Sequence, residues 1–140
     1  MKTDQAGRSP LHYAAKEDDA ETVATLIRGG ADPDVRDGYG FSPLHFAAQE
    51  GSARAARTLL ELGASVDSAN MFGNTPLWVA AFWSRGRGDL IELLLEHGAD
   101  PRHANKAGQT PIGLAQQIAN YDVARYFADA ERRPRSGPTT

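Results

Sequence analysis

The sequence predicts an all-α solenoid, in which short helix pairs stack side by side instead of closing around one central core. The main observation is a Ser/Thr-Pro phrase that occurs four times and begins at Ser9, Ser42, Thr75 and Thr110. Its prolines are separated by 33, 33 and 35 residues. A period of this length is the signature of a repeat protein, because each unit buries its apolar face only against its neighbours.

Each unit contains the same local signals in the same order. In the second unit they are Gly38 and Gly40, Ser42, Pro43, then Leu44, Ala47 and Ala48, then Gly51, and finally Ala56, Leu59 and Leu60. The first glycines favour a turn, the serine is placed to cap a helix, and proline suits its first position. The two apolar groups have helical spacing and are separated by a glycine break. Each unit is therefore predicted to be a short inner helix followed by an outer helix.

We expect a single array over residues 4–130. The predicted units span about 4–36, 37–69, 70–104 and 105–130. In the first unit Asp18 replaces the middle glycine, and aspartate tolerates a left-handed backbone better than most residues. The fourth unit repeats the pattern with Val123 and Phe127 on its second helix. Residues 131–140 contain two prolines and no apolar side chain, which predicts a mobile basic tail.

The composition favours a soluble protein that binds neither nucleic acid nor membrane. The 140 residues carry 18 acidic and 15 basic side chains, for a net charge of −3. The calculated pI is about 5.8, whereas nucleic-acid-binding domains usually have a pI above roughly 9. There is no cysteine, and no stretch approaches the ~18 apolar residues of a membrane span. We expect a cytoplasmic monomer without a cofactor.

The repeated residues resemble a known family. The second unit matches its pattern through Asp37, Gly40, Ser42 to His45, Ala47-Ala48 and Gly63-Ala64, and the other units match at equivalent positions. This pattern, Asp-x-x-Gly-x-Ser/Thr-Pro-Leu-His-x-Ala-Ala followed by Leu-Leu-x-x-Gly-Ala-Asp, is similar to the ankyrin repeat over about residues 4–130. The resemblance implies antiparallel helix pairs, with turns that project as fingers beside the inner helices. It also implies a protein-binding module.

The third unit departs most from the pattern. It has two extra residues near Phe82–Gly88, and it concentrates large side chains where the resemblance places partner contacts. The predicted partner-binding residues are Tyr39, Phe41, Met71, Phe72, Trp78, Phe82, Trp83, Arg85 and Arg87. A second interpretation stays open for Trp78 and Phe82, which would fill a local core beneath the longer connection. Arg85 and Arg87 would contact an acidic partner or simply be solvated.

Two histidines suggest catalysis only superficially. His12 and His45 follow Ser9 and Ser42, but no third orienting group recurs with them. We expect each ring to form hydrogen bonds within its own turn, so that replacement by alanine lowers the melting temperature. Equivalent positions on packed helices lie about 8 to 10 Å apart, too far for two ligands of one zinc ion. The sequence thus predicts no catalytic residue and no metal site.

The predicted function is protein binding through the concave face and the finger turns. Residues 82–89 and 118–127 also resemble short bacterial ankyrin proteins, some of which act as immunity partners of secreted toxins. This resemblance implies a toxin or effector as the partner. A general scaffold that recruits an endogenous protein or peptide is the alternative, and a hydrolase that uses His12 or His45 is a third hypothesis.

Overall fold

The computed structural model describes residues 3–118 and 120–128. The predicted tail at 131–140 and the end of the fourth unit at 129–130 lie outside these ranges. The helices are α1 (Pro10–Lys16), α2 (Ala20–Arg28), α3 (Pro43–Glu50), α4 (Ala53–Glu61), α5 (Pro76–Trp83), α6 (Asp89–Glu96) and α7 (Pro111–Gln117), followed by a 3-10 turn at Ala124–Phe127. The described residues include no strand. None of their helices has the length and hydropathy needed to span a bilayer.

The helices form two layers. The inner helices α1, α3, α5 and α7 pack against one another in chain order, and the outer helices α2, α4 and α6 form the second layer. Leu11, Leu44 and Leu77 occupy the same position of successive inner helices and are fully buried between the layers. Helices of 7 to 9 residues are marginal in isolation, so this packing stabilises them. The predicted all-α solenoid is confirmed.

Each inner helix starts at the predicted cap. The side-chain oxygens of Ser9, Ser42, Thr75 and Thr110 each accept a hydrogen bond from the backbone N–H three residues later. A proline follows at the first helical position in all four helices. The cap satisfies one N–H that would otherwise have no partner at the helix start, and the proline removes another.

The fingers are turns closed by one side chain each. Asp4, Asp37, Asn70 and Asn105 accept backbone N–H bonds from the residues two and four positions later. Neighbouring fingers are joined by one backbone hydrogen bond, as between the Met71 N–H and the Tyr39 carbonyl at 2.9 Å. Gly40 lies at this junction with φ of 80°. A Cβ there would lie 3.0 Å from the Met71 nitrogen, so glycine permits the close approach of adjacent fingers.

The structure describes the fourth unit as far as residue 128. After α7 the described residues form the 3-10 turn Ala124–Phe127. Val123 and Phe127 are fully buried, as their apolar character predicts. The rings of Tyr121 and Tyr126 lie against the connection that follows α5.

Candidate functional site

The exposed large apolar side chains are concentrated on one side of the array. They are Tyr13, Tyr39, Met71, Phe72, Phe82, Trp83 and Tyr121. All except Tyr121 belong to fingers or inner helices, and none belongs to α2, α4 or α6. We call Tyr39, Met71, Phe72, Phe82 and Trp83 the aromatic face. These five residues were all predicted as partner contacts.

Three aromatic rings of the third unit pack together at the edge of this face. Trp78 and Phe82 lie 5.2 Å apart with an interplanar angle of 12°, and Phe82 meets Trp83 edge-on at 5.3 Å. Trp78 is half-buried against the core, whereas Phe82 and Trp83 are 51% and 42% exposed. Trp78 therefore supports Phe82 from below, and Phe82 does not enter the core.

Trp78 also occupies the position of the two histidines. The backbone N–H groups of Ser9 and Ser42 donate to the Nδ1 atoms of His12 and His45 at 2.9 and 3.0 Å. Because Nδ1 accepts, Nε2 carries the hydrogen and donates to the next finger, at the Phe41 carbonyl for His12 and at the Asn74 carbonyl for His45. The predicted bond within the turn is confirmed. The bond to the next finger was not predicted, since its acceptor is a main-chain atom that no residue type marks.

In the third unit the link to the next finger uses side chains. The indole N–H of Trp78 donates to the Gln109 Oε1 atom at 3.2 Å, where the first two units use a histidine and a carbonyl. Trp78 in place of histidine therefore keeps a hydrogen bond between units and adds a large ring beneath Phe82.

The electrostatics of the histidines reflect their burial. Burial away from solvent lowers the pKa of His45 to about 4. The hydrogen bond to the Asn74 carbonyl raises the pKa and offsets only part of this shift. Burial lowers the pKa of His12 as well. Both rings are neutral at pH 7 and use both nitrogens in structural hydrogen bonds. Neither ring has a nitrogen free to take a proton from a substrate.

Phe41 belongs to a different cluster. Its ring lies 5.5 Å from His45 and 5.7 Å from Phe46, and the Arg8 guanidinium lies over the Phe46 ring. Phe41 is half-buried, and its ring contacts among the described residues do not reach Trp78 or Phe82. The structure therefore brings most of the predicted site together but places Phe41 between the first two units.

The inserted connection after α5 packs against the last unit. The Tyr126 hydroxyl donates to the Gly86 carbonyl at 2.7 Å. A Cβ on Gly86 would lie 2.7 Å from the Tyr121 ring, and one on Gly88 would collide with the Tyr126 ring. The connection is thus held between α5 and two tyrosines. We call this contact the tyrosine clasp.

Arg85 and Arg87 project from the clasped connection and are exposed. Arg85 has φ of 51°, the left-handed turn that Asp18 and Gly51 make in the first two units with φ of 59° and 74°. The Arg87 Nε–H donates to the Ser84 carbonyl at 3.4 Å, which orients its guanidinium along the end of α5.

A shallow cleft opens beside Trp83. Its apolar lining includes the buried residues Ala48, Ala80 and Leu90, and Trp83 and Arg87 line it from the exposed side. The cleft lies between the second and third units, where the insertion places Arg87 close to Gly51. Trp83 offers it an apolar surface, and Arg87 and Asp89 place one charge of each sign on its lining.

The described residues contain no cluster of three or more histidine, aspartate or glutamate side chains arranged to hold a metal ion. The predicted site is therefore an apolar and cationic surface, built from the fingers, the inner helices and the inserted connection.

Comparison with known proteins agrees with this architecture. A family model for ankyrin repeats in three copies matches residues 1–70, and a model for a single ankyrin repeat matches residues 72–106. No curated protein matches the chain. The two stacked layers of short helices are consistent with an ankyrin-repeat solenoid, and the chain belongs to the ankyrin-repeat family.

Proposed function

We propose that this chain binds a protein partner through the aromatic face, with Trp78 as its support and Arg85 and Arg87 at its edge. Ankyrin repeats are in general protein-interaction modules. The observation that carries the proposal is the absence of exposed large apolar side chains from the outer helices α2, α4 and α6, set against their concentration on the fingers and inner helices. Exposed apolar side chains concentrated on one side of a protein favour an interaction site there.

The size of the aromatic face is sufficient for an interface. A large aromatic side chain buries about 150 to 250 Å². Phe72 and Phe82 leave about half of that area exposed, so covering each would contribute about 2 to 3 kcal/mol at ~25 cal/mol per Å². The entropy lost on association opposes this gain. Several anchors acting together are therefore needed, and the face supplies five.

A finer part of the proposal concerns the identity of the partner. Residues 82–89 and 118–127 resemble short bacterial ankyrin proteins, some of which act as immunity partners of secreted toxins, and we propose on this basis that the partner is a secreted toxin whose active site the chain covers. The exposed Trp83 and Arg85 lie within the first of these segments. A scaffold that recruits an endogenous protein would use the same face.

Affinity capture with mutated surfaces tests the binding face. The chain and its Phe72→Ala/Trp83→Ala variant are used as baits, and captured proteins are quantified by mass spectrometry and then measured as purified pairs. We expect the double variant to lose the captured partner, while Arg57→Ala on the exposed side of α4 retains it. Circular-dichroism melts check that both variants stay folded. Equal binding by all three proteins would refute the aromatic face as the site.

The toxin proposal has a separate test. The product of a toxin-like neighbouring gene is assayed for its activity with and without the purified chain. Inhibition at one-to-one stoichiometry, lost in the double variant, is the expected result. Lack of inhibition, with a different protein bound at the same face, would favour the scaffold.

A further inference from the structure

The charge around the aromatic face differs from that of the whole chain. Residues 70–88, which form the third finger, α5 and the inserted connection, contain no aspartate or glutamate. Residues 101–118, which form the fourth finger and α7, contain none either. The acidic side chains between these stretches are Asp89, Glu92, Glu96 and Asp100, on or after the outer helix α6. In a chain of net charge −3, the fingers and inner helices of the third and fourth units therefore carry no acidic side chain, and the acidic residue that lines the cleft beside Trp83 is Asp89.

Cations flank the aromatic face at both ends. Lys106 is exposed at the fourth finger, and its backbone N–H donates to the Phe72 carbonyl at 3.1 Å. Arg85 and Arg87 are exposed at the opposite end of α5. The terminal nitrogens of Arg87 form no hydrogen bond to a described residue, although its Nε is bound to Ser84. Asp89 also lines the cleft but forms no ion pair with Arg87.

We infer that the partner presents an acidic polypeptide segment in which carboxylates flank an apolar side chain. This inference rests on the proposed function and names the chemistry of the partner. The apolar side chain enters the cleft beside Trp83, one carboxylate pairs with Arg87 or Arg85, and another pairs with Lys106 across the face. Complementary charge of this kind speeds association and selects among partners.

A nucleic acid would offer anions and flat rings too, but the molecule suits it less well. Binding to a phosphate backbone strengthens with the number of phosphates neutralised, and among the described residues the third and fourth fingers, α5 and the inserted connection offer only Lys106, Arg85 and Arg87 as exposed cations. The acidic outer helix α6 would repel a long polyanion. A short polypeptide places few charges and one apolar anchor where the face can use them.

Selection from a displayed library of random peptides tests the inference. The chain, its Arg85→Gln/Arg87→Gln variant and the matched control Arg54→Gln/Arg57→Gln on α4 serve as targets. We expect the chain and the control to enrich peptides that combine acidic residues with an aromatic or aliphatic one. The Arg85→Gln/Arg87→Gln variant should lose the acidic preference.

A selected peptide is then measured against its Asp→Asn and Glu→Gln version. We expect the charged peptide to bind roughly tenfold more tightly at low salt, with the difference shrinking as salt screens it. Peptides that require Trp83 but show no acidic preference would overturn this inference and leave the proposed function standing. An empty selection would count against both. Tighter binding of an oligothymidylate at the same face would assign it to nucleic acid instead.

Discussion

His45 shows how one side chain joins two units. Its Nδ1 accepts from the Ser42 N–H at 3.0 Å, and its Nε2 donates to the Asn74 carbonyl at 2.8 Å. The ring is fully buried, and this loss of solvent disfavours its charged form, so the pKa of His45 falls to about 4 although the hydrogen bond to the Asn74 carbonyl opposes the shift. A proton on Nδ1 would also face the Ser42 N–H, which now donates to that atom.

Folding stability is expected to depend on pH through this ring. In the unfolded chain the pKa of a histidine is about 6.5, so between pH 6.5 and 4 the unfolded state binds more protons. Stability is then fully present above pH 6.5 and is lost as the pH falls towards 4, by about 3 kcal/mol for His45. Urea denaturation from pH 7.5 to 4.5 measures this loss, and NMR titration of the ring measures the pKa itself.

The control is His45→Gln, which removes the titrating group. This variant should be less stable at pH 7 but should lose less stability on acidification, the remainder coming from His12, whose pKa is also lowered. The pKa values of Asp4 and Asp19 are lowered by their hydrogen bonds, so they act mainly below this window. Asp67, whose burial raises its pKa, acts in the opposite sense in both proteins. An unchanged pH dependence would contradict the assignment.

At the scale of the element, the tyrosine clasp decides how the inserted connection is placed. Gly88 has φ of −101°, a conformation open to alanine, so its lack of a side chain matters only because the Tyr126 ring lies against it. The Tyr126 hydroxyl in turn fixes the Gly86 carbonyl. The clasp links the third and fourth units.

Gly88→Ala is expected to destabilise the chain by about 1 to 3 kcal/mol, because the added methyl displaces the Tyr126 ring and breaks its hydrogen bond. In a Tyr126→Ala background the same change should be neutral or stabilising by up to about 1 kcal/mol, since only the unfolded-state entropy is then affected. Chemical denaturation of the four proteins of this double-mutant cycle measures the difference. Equal costs in both backgrounds would contradict the clasp.

The elements that depend on local signals were predictable. Ser42 with Pro43 and Asp18 in its left-handed turn each act within a few residues, and sequence reasoning located the inner helices from such signals. The clasp was not predicted, because nothing local relates Gly88 to a tyrosine nearly forty residues later. The second helix predicted for the fourth unit is described only as far as residue 128, where the structure has the 3-10 turn Ala124–Phe127.

The candidate site was predictable to a similar extent. Exposure at Tyr39, Phe72 and Trp83 follows from their places in fingers and at a helix end, which the repeat pattern assigns. The Trp78 indole N–H is bound by Gln109 of the neighbouring unit, and no spacing rule within one unit reports that contact. The Phe41 ring instead packs against His45 and Phe46 of its own unit.

At the scale of the whole molecule, stability is shared between neighbouring units. Each inner helix packs on the next, and the end of the described array is closed by Phe127, which is fully buried. As far as the structure describes it, the fourth unit has one α-helix and a short 3-10 turn. It is therefore expected to open at a lower free energy than the units before it.

Phe127→Ala is expected to uncouple this unit, with a cost of about 3 to 5 kcal/mol from the cavity and the lost apolar burial. Hydrogen exchange followed by mass spectrometry should then show lost protection across α7 and the 3-10 turn, while α1 and α3 keep theirs. Uniform loss of protection along the whole chain would show instead that the array unfolds as one unit.

The single hydrogen bond between adjacent fingers has a consequence for how the molecule changes over evolutionary time. Each of these bonds joins main-chain atoms, as from Gly38 to Ala6 and from Met71 to Tyr39. The identity of the tip side chain therefore does not enter the bond that aligns one tip with the next. Substitutions of exposed tip side chains such as Tyr39 and Phe72, though not of the finger glycines, are expected to alter what the surface recognises and to leave the scaffold's geometry intact, so new specificities are accessible by single steps.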